Sequence, residues 1–209
     1  MGQRRWISVL LLVLGLVSIG ATSMAGRPSC EGQPTKVGTS GDDRLVGTTR
    51  TDIINGLGGD DVIIGKGGGD YLCGDEGNDV LRGGPGQDTM YGGDGNDQAF
   101  GAGGGDTLND NAGRNLLDGG DNNDFFNSES PGRDKVVAGR GDDSGELGGG
   151  PDVVRAGGGA DRFYTQAGDD RLFGGSGPDL LDGMSGRDEI DGGGGRDDCR
   201  HGERTTSCG

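Results

Sequence analysis

GDEGNDVLR at residues 74–82, GGPGQDTMY at 83–91 and GGDGNDQAF at 92–100 are three consecutive blocks of nine residues. Each opens on Gly, carries Gly fourth and Asp sixth, and places an apolar residue eighth: Leu81, Met90 and Ala99. A strict short period of this kind describes one structural unit stacked on copies of itself. The same phase runs back to Gly38 and forward to Asn127, ten blocks in all; Ser128 reads as one extra residue, and nine more blocks follow from Glu129 to Gly209.

The sixth column is the strongest. It holds Asp43, Asp52, Asp61, Asp70, Asp79, Asp88, Asp97, Asp106, Asn115 and Asp124, then Asp134, Asp143, Asp152, Asp161, Asp170, Asp179, Asp188, Asp197 and Thr206, which is 17 Asp in 19 blocks. The eighth column is apolar from Leu45 to Cys208, with Gly145 as its gap. One apolar residue between polar neighbours is strand alternation in its shortest form. The Gly, Asp and Asn that fill the first six positions are turn chemistry. Each block therefore predicts a tight turn and a strand of about three residues. Stacking such strands in parallel puts consecutive blocks on opposite sides, so that residues 18 apart become sheet neighbours. The fold class that follows is an all-β solenoid.

Composition alone points elsewhere. With 52 Gly in 209 residues, 29% apolar residues and a net charge of −16, the chain resembles disordered sequence. The regular placement of its few apolar residues argues against that. Collagen is excluded by a Gly period of nine instead of three. The acidity argues against nucleic acid or an anionic membrane as partner and for cations.

Residues 1–25 are of a different kind. Arg4 and Arg5 precede an apolar run from Trp6 to Ile19, and Ser23 and Ala25 suit a cut after Ala25. This reads as a secretory signal peptide, with a run too short to span a bilayer. No membrane span is expected after its removal, which leaves 35 acids against 17 bases, a net charge of −18. Residues 26–37 read as an N-terminal lead, 38–127 and 128–200 as two units of repeats meeting near Ser128, and 201–209 as a C-terminal cap. The four Cys of the exported part, Cys30, Cys73, Cys199 and Cys208, suggest disulfides and allow three pairings. Cys199 and Cys208 share the eighth column in consecutive blocks, which favours pairing them and leaves Cys30 with Cys73. Four thiols or a zinc site are the other readings.

Stacking places the sixth-position carboxylates in two files. At ~5 Å and an effective dielectric of ~20, neighbours repel by about 3 kcal/mol. Such a fold calls for cations between the carboxylates. Carboxylates and turn carbonyls are hard oxygen donors, which favour several Ca²⁺ ions over Mg²⁺ or Zn²⁺. Binding is then inseparable from folding. With a single His, His201, no triad or metalloprotease motif can be assembled, and a ladder of identical carboxylates is ligand architecture instead of an acid–base pair. The tripeptide Arg140-Gly141-Asp142 falls in a turn where Gly and Asp are expected anyway.

The blocks match GGxGxDxUx and so resemble the calcium-binding nonapeptides of the RTX (hemolysin-type) family, most closely at 83–91, 92–100 and 174–182. The resemblance covers nearly all of residues 38–200. It implies a right-handed parallel β-roll with Ca²⁺ held between successive turns. As ligands it implies Asp61, Asp70, Asp79, Asp88, Asp97, Asp106, Asp161, Asp170, Asp179, Asp188 and Asp197, together with turn carbonyls. Arg50 and Asn122 in place of the fourth Gly, Asn115 in place of Asp, the phase break at Ser128 and the gap at Gly145 point to a weaker middle with calcium in doubt over 110–150. The expectation is a small secreted calcium-binding protein made of such repeats. The alternative is a structural or adhesive surface protein stiffened by calcium, whose exposed strand face recruits other chains or polysaccharide.

Overall fold

The structure, a computed structural model, describes Cys30 and residues 33–209. The signal segment and the start of the 26–37 lead lie outside the described residues. Among the described residues twenty strands form two ten-stranded parallel sheets, alternate strands going to alternate sheets in chain order. Leu72 lies opposite Met90 and Leu81 opposite Ala99, so partners in the regular coils are 18 positions apart. Two nonapeptides make one coil of a β-solenoid, as the period predicts. At ~4.8 Å between strands the stack is roughly 43 Å from first strand to last. Among the described residues no helix is long and apolar enough to cross a membrane.

The strands are longer than the sequence suggests. Val80–Pro85 and Thr89–Asp94 each run six residues, from the seventh position of one block to the third of the next. The cause is the alternation itself. Asp79, Leu81 and Gly83 are all buried, so positions six, eight and one point inward in turn. Only the corner between positions three and six is a turn. There the chain needs φ > 0 at position four, as at Gly86 (φ 141°), where a Cβ would fall on the Gly68 carbonyl.

The eighth column forms the core. From Leu45 through Leu72, Leu81, Leu108 and Phe126 to Ile190 its side chains are buried in one cluster. The gap expected at Gly145 is closed. Phe126 and Phe163, its neighbours above and below, converge on it with ring centroids 5.9 Å apart, and a Cβ on Gly145 would lie 2.7 Å from Phe163 Cε1. The middle gains further apolar contact from Ala138, Leu147 and Ala156, which fill first positions held by Gly elsewhere and are fully buried.

Ser128 is not the residue out of phase. It pairs with Asp110 below and Leu147 above, both first-position residues, and it is buried. The extra residue is absorbed in the following turn, where Ser130 Oγ accepts the Gly132 N–H at 2.9 Å and donates to the Gly113 carbonyl at 2.9 Å. Partners across this turn are 19 apart, as in Leu117 opposite Val136, and both sheets continue through it.

Both ends are fastened. Cys30 is bonded to Cys73 and Cys199 to Cys208. Cys208, however, does not continue the apolar column. The last strand, Arg204–Thr206, slips so that Thr205 lies opposite Ile190, and Cys208 reaches Cys199 from an exposed position.

Candidate metal centre

Positions six, eight and one line the interior as carboxylate, apolar side chain and Gly. From Asp61 to Asp197 each sixth-position carboxylate has one oxygen committed to the stack. The Asp61 N–H donates to Asp79 Oδ1 at 2.7 Å, Asp70 to Asp88 at 2.7 Å, Asp79 to Asp97 at 2.8 Å and Asp88 to Asp106 at 2.8 Å. The pattern continues to Asp179 and Asp197. These bonds link coils through side chains at the corners, beside backbone bonds such as that from the Gln98 N–H to the Asp79 carbonyl at 2.8 Å.

The second oxygen is a different matter. Oδ2 of Asp61, Asp70, Asp79, Asp88, Asp97, Asp106, Asp161, Asp170, Asp179, Asp188 and Asp197 is buried and accepts no hydrogen bond. These are all eleven residues singled out from the sequence. Asp124, Asp143 and Asp152 have the same geometry, although the irregular blocks around them hid it. The first-position Gly makes room: a Cβ on Gly74 would strike Asp79 Oδ2 and lie 2.5 Å from the Gly92 carbonyl. A donorless carboxylate oxygen beside a backbone carbonyl is a concentration of negative charge that protein alone leaves unbalanced.

The electrostatics agree. Burial pushes the Asp79 carboxyl up to about 7, with the charges of Asp97 and Asp61 adding to it and the Asp61 N–H opposing it. Burial likewise takes Asp88 to about 6, Asp124 and Asp161 to about 7 and Asp152 to about 8.

Three rungs are closed by the protein itself. In the first two blocks Thr39 and Thr48 donate both backbone N–H and hydroxyl to Oδ2 of Asp43 and Asp52, at 2.6 and 2.8 Å in each case. Desolvation pushes the Asp52 carboxyl up, but the bonds from Thr48 and Thr35 and the charge of Lys36 outweigh it and hold the carboxyl below its usual value. At Asp134, Oδ1 accepts the Asn115 N–H at 2.9 Å and Oδ2 accepts the Ser128 hydroxyl at 2.6 Å. At the C-terminal end Glu203 Oε2 accepts the Asp188 N–H at 2.5 Å, where the next coil would have supplied an Asp.

Among the described residues no three His, Cys, Asp or Glu side chains converge as a metal site. A cation here needs backbone carbonyls beside each carboxylate, and the first-position Gly of the next coil supply them, as Gly92 does beside Asp79. That donor set, all oxygen and partly main chain, fits Ca²⁺. The family model for the RTX calcium-binding nonapeptide repeat matches residues 37–72, 74–99, 100–130, 137–172, 146–181 and 164–199. The chain belongs to that family. No individual curated protein matches it. The RTX repeats make it a calcium-binding β-solenoid of a structural kind, with several ions expected from the repeat copies. Its two disulfides fit an extracellular setting.

Proposed function

We propose that the chain is exported and folds when it meets calcium, each ion drawing successive coils together through the sixth-position carboxylates and the carbonyls beside them. The single observation behind this reading is the fourteen sixth-position Oδ2 atoms that are buried without a donor. Each such group costs free energy when left bare, and like charges repeat along both files. Calcium supplies the missing counter-charge, and its binding free energy becomes folding free energy. The eleven Asp of the regular blocks and the three of the middle are the proposed ligands. The signal-like segment 1–25 and the paired cysteines support export. Calcium is scarce in the cytosol and plentiful outside, so folding would follow secretion.

The test is far-ultraviolet circular dichroism of the chain from Gly26 onward, first with calcium and then with excess EGTA. The expected result is β structure that appears with calcium and is lost on chelation. A chain already rich in β structure in EGTA at neutral pH overturns the coupling of folding to calcium.

A further inference from the structure

The rung at Asn115 breaks the ladder in sequence, since an amide replaces the carboxylate. The structure shows a compensating change on the facing residue. Asp110 stands at the first position of the same block, where every earlier block has Gly. Its side chain is 1% exposed. Asn115 keeps the structural half of the rung, because its Oδ1 accepts the Asp97 N–H at 2.8 Å. Its Nδ2 donates to Asp110 Oδ2 and to the Ala112 carbonyl at 3.4 Å. The carboxylate has moved from position six to position one, and the rung has kept its charge.

The remaining oxygen of Asp110 does not face solvent. Asp110 Oδ1 is buried, as is Asp97 Oδ2 one coil below, and no N–H or hydroxyl reaches either; the two carboxyls lie within hydrogen-bonding reach of each other. Both converge on Gly92: a Cβ there would strike Asp110 Oδ1 and lie 2.6 Å from Asp97 Oδ2. Two donorless carboxylate oxygens thus meet at one enclosed point, where the regular rung has one.

We propose that Asp97 and Asp110 together hold a calcium ion, in a two-carboxylate site with Asp110 as a ligand from position one of the repeat. The inference rests on the calcium reading above and goes beyond the repeat pattern, which assigns no ligand to that position. Asn115 orients Asp110 through its amide and does not touch the ion. The site adjoins the rung at Asp134, which needs no cation because Ser128 closes it. Added ligand charge strengthens calcium sites, so the block that departs from the pattern binds calcium instead of losing it.

The experiment counts calcium ions per chain by equilibrium dialysis against calcium with metal analysis of the retained protein. It compares the natural chain, Asp110→Asn, and the double variant Asp110→Gly with Asn115→Asp, which restores the regular rung. Asp110→Asn is expected to hold its tightest ion more weakly, because Asp97 is left with the single carboxylate of a regular rung, and the double variant to lose that tight ion while its new regular rung at 115 adds one ion in all. Unchanged stoichiometry and affinity in Asp110→Asn overturns the site. So does a double variant that keeps the tight ion, an outcome that stands even if Asp110→Asn fails to fold. A natural chain that takes up no calcium overturns the calcium reading itself, and this site with it.

Discussion

The first two blocks and the run from Gly74 to Phe100 use the same Asp column in opposite ways. In GTSGDDRLV and GTTRTDIIN, residues 38–55, a Thr at position two turns its N–H and hydroxyl onto the carboxylate. In the later run position two is Asp75, Gly84 or Gly93, each with φ > 0, and Oδ2 of Asp79, Asp88 and Asp97 stands bare. The fold is the same. What differs is who supplies the positive end of the interaction, a hydroxyl built into the chain or an ion taken from solution. On the proposed reading the entry to the solenoid is self-sufficient, and its body draws on its medium.

The largest effect that separates the two regions is the response to pH without calcium. Among the bare carboxylates, burial raises Asp88 to about 6, Asp79 to about 7 and Asp152 to about 8, against about 4 in an unfolded chain. Their contribution to the metal-free roll is full below pH ~4 and is lost as pH rises through those raised values. A calcium-stripped chain is therefore expected to gain β structure, by circular dichroism, when taken from pH 8 to pH 5. Asp52 has the reverse sign. Its lowered value contributes stability above the unfolded value, and that is lost as pH falls through the folded one. A stripped chain equally disordered at both pH values breaks the contrast.

A pair of single changes gives the next largest effect. Asp88→Asn retains the acceptor for the Asp70 N–H and removes a bare charge. It should stabilise the metal-free chain and reduce the rise in melting temperature that calcium brings. Asp52→Asn sets an amide against the two Thr48 donors and should cost about 1–3 kcal/mol with or without calcium. Urea and thermal melts of both variants in calcium at neutral pH and, after chelation, at pH 5, where the stripped chain is expected to hold β structure, measure this, and equal calcium dependence of the two effects would remove the distinction.

The smallest effect sharpens it. Thr48→Val leaves the backbone donor in place and takes away the hydroxyl, at a cost of about 1 kcal/mol in the urea midpoint, independent of calcium. Dependence on calcium there would mean that the first coils also bind an ion.

The architecture was legible because it rests on counting. A period of nine with one apolar position places residues 18 apart in register, and Leu72 opposite Met90 needs no further knowledge. The placement of the eleven regular carboxylates in two files was legible for the same reason. What escaped the sequence depends on contacts between coils. Gly145 looks like a hole until Phe126 and Phe163 are known to flank it in the same sheet. Ser128 looks like an insertion because Ser and Gly suit a turn as well as an inward position, and only its pairing with Asp110 and Leu147 decides. Thr39 and Thr48 are ordinary turn residues in sequence, and their role depends on a backbone turn that leaves the N–H facing the carboxylate. Glu203 lies 15 residues from the N–H it receives, a spacing that belongs to no repeat.

A stack in which every coil offers the next one its amides has no intrinsic length. The same bonds that join coil to coil within one molecule could join the last coil to the first of another, and the product would be a filament. Glu203 answers this at the C-terminal end. By occupying the Asp188 N–H with a carboxylate from its own chain, beside a strand that slips out of register and a disulfide that folds the tail back, it acts as a chain terminator in the polymer chemist's sense. It leaves an added coil one amide fewer to pair with.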